Sequence, residues 1–183
     1  ETDATLSTGV NLYDVDGTTQ IGNIAGKQNG TDSLVYPNLK AGTYYFMVYN
    51  WSNSYGSYKI TPKFYAALYS NDTEPNDAYT SATSLSFSTN YYGHVGYYGN
   101  LTRDNEDYYK VTLPTDGKLF IIEDSKISLN IGIELYDQNG TTYIGNVSGK
   151  YNDTDTLKYN YLKAGTYYFK VYNWSNSYGS YTI

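Results

Sequence analysis

Two kinds of stretch alternate along this chain. Short runs carry an apolar residue at every second position, and polar turns of Asn, Asp, Gly and Thr separate them. Residues 128–137 put Ile131, Ile133 and Leu135 on one face, with Asn130, Glu134 and Tyr136 among the positions between. A period of two over that length marks a half-buried strand. Residues 5–14 carry the same alternation and end in the same Leu-Tyr-Asp. The strand that begins at Gly165 sets Tyr167, Phe169 and Val171 against Tyr168, Lys170 and Tyr172. Its counterpart from Gly42 has Met47 where Lys170 stands, so the second face is the solvated one. Residues 91–98, 107–113 and 118–123 read as further strands, 178–183 as a last one, and 78–85 as one short helical turn. Short strands at this spacing, with turn chemistry between them, predict a sandwich or barrel.

The pattern occurs twice. Residues 41–58 and 164–181 differ at one position, and 36 of the 49 positions in 12–60 match their counterparts 123 residues later. A period of this length is the size of a whole small domain, not of a solenoid turn. Residues 1–60 align with 124–183, whereas 61–123 has no second copy. The chain therefore reads as a C-terminal half unit (1–60), a linker or last strand (61–71) and a complete unit (72–183). This predicts an excerpt from a longer array, or a half unit that closes on itself or on another copy.

Composition narrows the function classes. A net charge of −6 argues against nucleic acid, which demands Lys and Arg clusters. The absence of cysteine removes disulfides, thiol catalysis and Cys-based zinc sites. No run is long and apolar enough for a membrane span. The 26 Tyr residues suit strands whose faces meet either core or water. With abundant Asn, Ser, Thr and Gly, this is the profile of an extracellular all-β protein. Asn-x-Ser/Thr sequons begin at Asn29, Asn50, Asn71, Asn100, Asn139, Asn146, Asn152 and Asn173, although Asn-rich turns produce such triplets unaided.

The turns carry the candidate chemistry. Asp14-Val15-Asp16-Gly17 and Asp137-Gln138-Asn139-Gly140 have the composition of hairpin turns. Asp-x-Asp-Gly also suits a calcium loop, but the second copy lacks the second carboxylate and no Glu closes an EF-hand. Leu-Lys-Ala-Gly-Thr-Tyr ahead of the long strand resembles a tyrosine corner. Trp51 and Trp174 sit at a loop base, where a core or lid role competes with an exposed ligand platform. The single His, His94, stands in a Tyr/Gly strand without a catalytic motif around it, and no Ser-His-Asp or HExxH arrangement exists.

Four pieces lie in order over 72–183: Glu74-Pro75-Asn76-Asp77, Asp104-x-x-Asp107-Tyr108-Tyr109, Leu135-Tyr136-Asp137 before Gly140, and Ala164-Gly165-Thr166-Tyr167-Tyr168 leading to Tyr181. In this the unit resembles the bacterial and archaeal pre-peptidase C-terminal domain, a family that includes the collagen-binding domains of clostridial collagenases. Residues 1–60 match only the later pieces. The resemblance implies a jelly-roll-like antiparallel β-sandwich without catalysis. It also implies a calcium site, with Asp72, Glu74, Asn76, Asp77, Asp104 and Asp107 at the matching positions. Five carboxylates and an amide in two short loops repel one another without a cation, and calcium takes six to eight such oxygens. Residues 1–60 lack the acidic segment, so one site per chain is expected.

Two functions remain. One is a calcium-stabilised structural repeat of a surface, adhesion or filament protein, whose partners are other copies or neighbouring repeats. The other is an accessory module of a secreted hydrolase that binds polysaccharide or collagen through Tyr45, Tyr49, Trp51, Tyr168, Tyr172 and Trp174. Outward Tyr pairs that merely stabilise a sheet are the plainer account of those rings.

Overall fold

The computed structural model describes residues 6–26, 28, 30–125, 129–149, 151 and 153–183. By compactness the chain divides into residues 1–66 with 98–102, and residues 67–97 with 103–183. Within residues 1–66 the described residues hold three strands, β1 (Thr8–Tyr13), β2 (Gln20–Ile24) and β3 (Tyr45–Asn50). A single 3-10 turn at Tyr79–Ser81 precedes β4 (Thr83–Ser84) and β5 (Tyr92–Val95), and β6 (Tyr98–Gly99) and β7 (Thr102–Arg103) form a small hairpin. The long strands follow: β8 (Glu106–Leu113), β9 (Gly117–Ser125), β10 (Ile131–Tyr136), β11 (Tyr143–Val147), β12 (Thr154–Leu162), β13 (Gly165–Asn173) and β14 (Gly179–Thr182).

The second unit is a β-sandwich. One sheet runs β11-β10-β13-β8-β4 and the other β12-β9-β14-β5. Every pairing is antiparallel except the short β4–β8 contact. The alternation seen in sequence is the cause. Ile131, Ile133 and Leu135 of β10, Tyr167, Phe169 and Val171 of β13, and Leu119 and Ile121 of β9 all turn inward and form one core. Two sheets with one apolar face each have no other way to hide it. The tyrosine corner is present, with the buried Tyr167 hydroxyl donating to the Lys163 carbonyl at 3.1 Å. Tyr44 repeats it on Lys40 at 2.9 Å.

The first unit contains the sheet β2-β1-β3 and its register matches that of the second. Leu12 faces Phe46 as Leu135 faces Phe169, and the same bulge follows Leu12 and Leu135. What differs is what these strands meet. Residues 31–39 align with β12 but form no strand, only a bridge from Leu39 to Tyr98. In the second unit β12 pairs with β9, and no strand of the first unit corresponds to β9 among the described residues. Pro37, in place of Asn160, further removes a ladder donor.

The one substitution in the long repeat has a structural partner. Lys170 is mostly buried and lies 2.9 Å from Glu134, directly across the β10–β13 ladder, and 3.4 Å from Glu106. At the equivalent place in the first unit Met47 faces Asn11. Charge and neutrality have thus changed together. Lys170→Met alone strands Glu134 and is expected to destabilise the second unit by about 1–2 kcal/mol. Adding Glu134→Asn should recover most of that loss in a urea-denaturation double-mutant cycle.

Candidate metal centre

Residues 71–77 are polar and cannot join the core, yet they run against β8. The Tyr108 amide donates to the Asn76 carbonyl at 2.8 Å and fixes the segment there. On β8 the inward positions read Asp107, Tyr109, Val111 and Leu113, so an acid occupies a core-facing site. Arg103 positions the preceding loop. Its guanidinium donates to the carbonyls of Gly96, Asn176 and Ser177 at 3.0, 2.7 and 3.0 Å. Asp104 follows directly, buried, with its amide donating to the Tyr97 carbonyl at 2.9 Å.

The two loops bring the six expected residues together. Carboxylate oxygens of Asp72, Glu74 and Asp107 lie within 4.8 Å of one another, and those of Glu74, Asp77 and Asp104 do so as well. Glu74 belongs to both groups. Asn76 joins them by donating its amide to Asp72 Oδ2 at 2.6 Å. Asn76 and Asp107 have no solvent exposure, and only Asp77 is exposed.

Tyr109 and Tyr181 form the floor. The Tyr109 hydroxyl donates to Asp72 Oδ2, the Tyr181 hydroxyl donates to Asp107 Oδ2, and the two hydroxyls lie 2.6 Å apart. Each of these carboxylates therefore has one oxygen held by a phenol. The other oxygen, Oδ1 of Asp72 and of Asp107, is buried with no hydrogen-bond partner, as is Asn76 Oδ1. Buried polar atoms are nearly always partnered, so orphaned oxygens at one place need an explanation. Burial and the neighbouring carboxylates push Asp72 up and Asp107 well above the usual carboxylate range. Hard oxygen donors, most of them anionic and steadied by outer hydroxyls, fit calcium. Asp72, Glu74, Asn76, Asp77, Asp104 and Asp107 are the residues that would hold it.

The tyrosine floor was not legible as part of the site. Its one sequence signal is Tyr109 following Asp107 on the inward face. Gly93 permits it, because a Cβ there would stand 2.4 Å from the Tyr181 hydroxyl oxygen. The other candidates fall elsewhere. Asp16 accepts hydrogen bonds from the amides of Thr18 and Thr19 at 2.9 and 2.8 Å, which makes its loop a self-satisfied turn. His94 is buried, contacts the Tyr69 carbonyl at 2.5 Å and stacks on Tyr97, and burial lowers its pKa.

The aromatic positions are engaged within their sheets. Tyr172 lies over Gly132 and Tyr49 over Gly9, each directly across a ladder, and Tyr168 packs edge-on against Tyr79 at 5.8 Å. Rings laid on strand glycines shield backbone that has no side chain of its own. Trp51 and Trp174 pack against Tyr49 and Tyr172, but both are more than half exposed, which overturns a core role for either. The Asn-Trp-Ser-Asn loop carries them beyond the end of the sheet. Tyr45 is exposed. Among the sequons, Asn173 uses both ends of its amide, donating to the Ser177 carbonyl and accepting from the Ser177 hydroxyl. Asn139 accepts from two turn amides and donates to Thr142, Asn71 donates to Glu74, and Asn146 accepts from Tyr143. Asn50 donates to the Ser54 carbonyl, and Asn100 sits at positive φ in the hairpin tip. Asn29 and Asn152 lie outside the described residues.

Another buried acid, outside this cluster, has no counterpart in the sequence reading. Glu123 faces inward on β9, only 1% exposed, and burial and Asp155 raise its pKa to about 8. The folded chain then holds a proton that the unfolded chain releases near pH 4.5. The Glu123 contribution to stability is accordingly full below that value and is lost as pH rises toward 8, by up to about 1.4 kcal/mol per pH unit. Glu123→Gln should flatten this decline in urea melts taken across the interval.

The family model for the bacterial pre-peptidase C-terminal domain matches residues 105–173, from the start of β8 to the end of β13. Among solved structures, the chain is similar to the crystal structure of the pre-peptidase C-terminal domain of a collagenase from Bacillus anthracis. The two are 20% identical with a TM-score of 0.47, over 61% of this chain and 96% of that one. No curated protein matches the chain.

Proposed function

We propose that this chain is a non-catalytic, extracellular structural module whose second unit is clamped by calcium. The observation that carries the reading is the set of buried, orphaned oxygens on Asp72, Asn76 and Asp107 beside further carboxylates. A cation there ties the 71–77 segment to β8 and turns an otherwise repulsive cluster into a cross-link. The near identity of the two copies supports a repeat in a surface, adhesion or filament protein, since repetition serves assembly more directly than it serves ligand capture. Among the described residues no helix is long and apolar enough to cross a membrane. Electron microscopy of the native material, with calcium and then with chelator, tests the role. Ordered fibres or sheets that loosen on chelation support it, and dispersed particles in both conditions count against it.

A second reading, an accessory module that binds polysaccharide or collagen, draws on a different surface from the tyrosines. Phe120 and Ile122 are about half exposed on the outer face of β9, opposite Lys158 and Thr156 of β12. Tyr161, further along β12 at the register shift, is 92% exposed and held at a φ of 77°, a costly conformation for a bulky residue. Alanine at Phe120 and Tyr161 should abolish retention on such polymers if this face binds them.

A further inference from the structure

We infer that the free edge of β3 is a docking site for one strand of the β8 kind, brought by a further half-unit built like residues 61–123 and joined in series. The second unit supplies the template. There the edge of β13 that corresponds to β3 is covered by β8 in a ladder of eight residue pairs, from Gly165 opposite Leu113 to Tyr172 opposite Glu106. β3 pairs only with β1 among the described residues, although its sequence differs from that of β13 at one place over 41–58. An edge strand leaves every second amide and carbonyl without a ladder partner.

The side chains register the same vacancy. Phe46 is 50% exposed, whereas Phe169 is 1% exposed and stacks on Tyr109 of β8 at 5.4 Å. Leu12 and Val48 are half-buried where Leu135 and Val171 are fully buried. Residues 31–39 await the same half-unit, since their counterpart β12 is a strand only in its ladder with β9. A half-unit of the 61–123 kind carries both partners at once, β8 for β3 and β9 for residues 31–39. By the register of the second unit, Phe46 would face a Tyr109 equivalent and Met47 a Tyr108 equivalent. A second copy of this chain is a poorer occupant. Its own β8 is already held between β13 and β4 and would have to leave a completed sandwich.

The inference rests on strand pairing and not on the metal, so amide hydrogen exchange tests it in calcium and in chelator alike. In the chain as it stands, amides of 45–50 should exchange far faster than those of 165–173. In an extended chain with 61–123 repeated ahead of Glu1, protection of 45–50 should rise by about a hundredfold or more. Tyr109→Pro placed only in the added half should cancel the gain. Slow exchange of 45–50 already in the unextended chain would overturn the inference, and dilution that speeds it would show β3 pairing between second copies instead. Failure of the added half to order, or protection that survives the proline, would overturn it equally.

Discussion

Removing calcium is expected to lower the unfolding midpoint of the second unit by about 10 °C, on the proposal that the acidic cluster holds the ion. The figure follows from linkage, because a ligand at a hundred times its dissociation constant stabilises the folded state by about 2.7 kcal/mol, and each kcal/mol moves a domain of this size by several degrees. Differential scanning calorimetry in calcium and in chelator provides the comparison. Asp107→Asn should abolish the difference, and its effect should change sign between conditions. With calcium the variant is the less stable, having lost an anionic ligand. Without calcium it is the more stable, because the buried Asp107 carboxylate sits among other carboxylates and is costly to ionise. A purely structural acid, paired by the Tyr181 hydroxyl alone, would give the same sign in both.

Phe169→Ala destabilises the second unit by about 3–5 kcal/mol, whereas Phe46→Ala costs less than about 1 kcal/mol. The two residues occupy the same place in nearly identical sequence. Only their surroundings differ: Phe169 is enclosed by Tyr109 and the facing sheet, and Phe46 is half exposed. A Trp51→Phe background leaves Trp174 to follow the second unit through a urea titration, and a Trp174→Phe background leaves Trp51 to follow the first. Equal costs at the two positions would mean that the first unit buries Phe46 as fully as the second buries Phe169.

That contrast shows what sequence alone could and could not carry. The strands of the second unit were legible because alternation and burial coincide, as along β10 and β13. The six residues of the acidic cluster were legible through the resemblance to the pre-peptidase C-terminal family, and the charge that two short loops concentrate agrees with it. Residues 31–39 were not, because being a strand there is a property of the partner β9 and not of the segment. The Tyr109–Tyr181 floor was hidden for a related reason. In a chain with 26 tyrosines, no local signal separates the two whose hydroxyls meet beneath a carboxylate pair. Glu123 escaped because an acid at an inward strand position looks in sequence like an ordinary break in the alternation.

Anomalous difference density from crystals grown in calcium tests the central claim most directly. The account predicts a peak among Asp72, Glu74, Asn76, Asp77, Asp104 and Asp107, with ligand oxygens at about 2.3–2.6 Å, and its loss in Asp107→Asn. Density showing those oxygens bridged by waters or by protonated carboxyls, with no peak at saturating calcium, would contradict it.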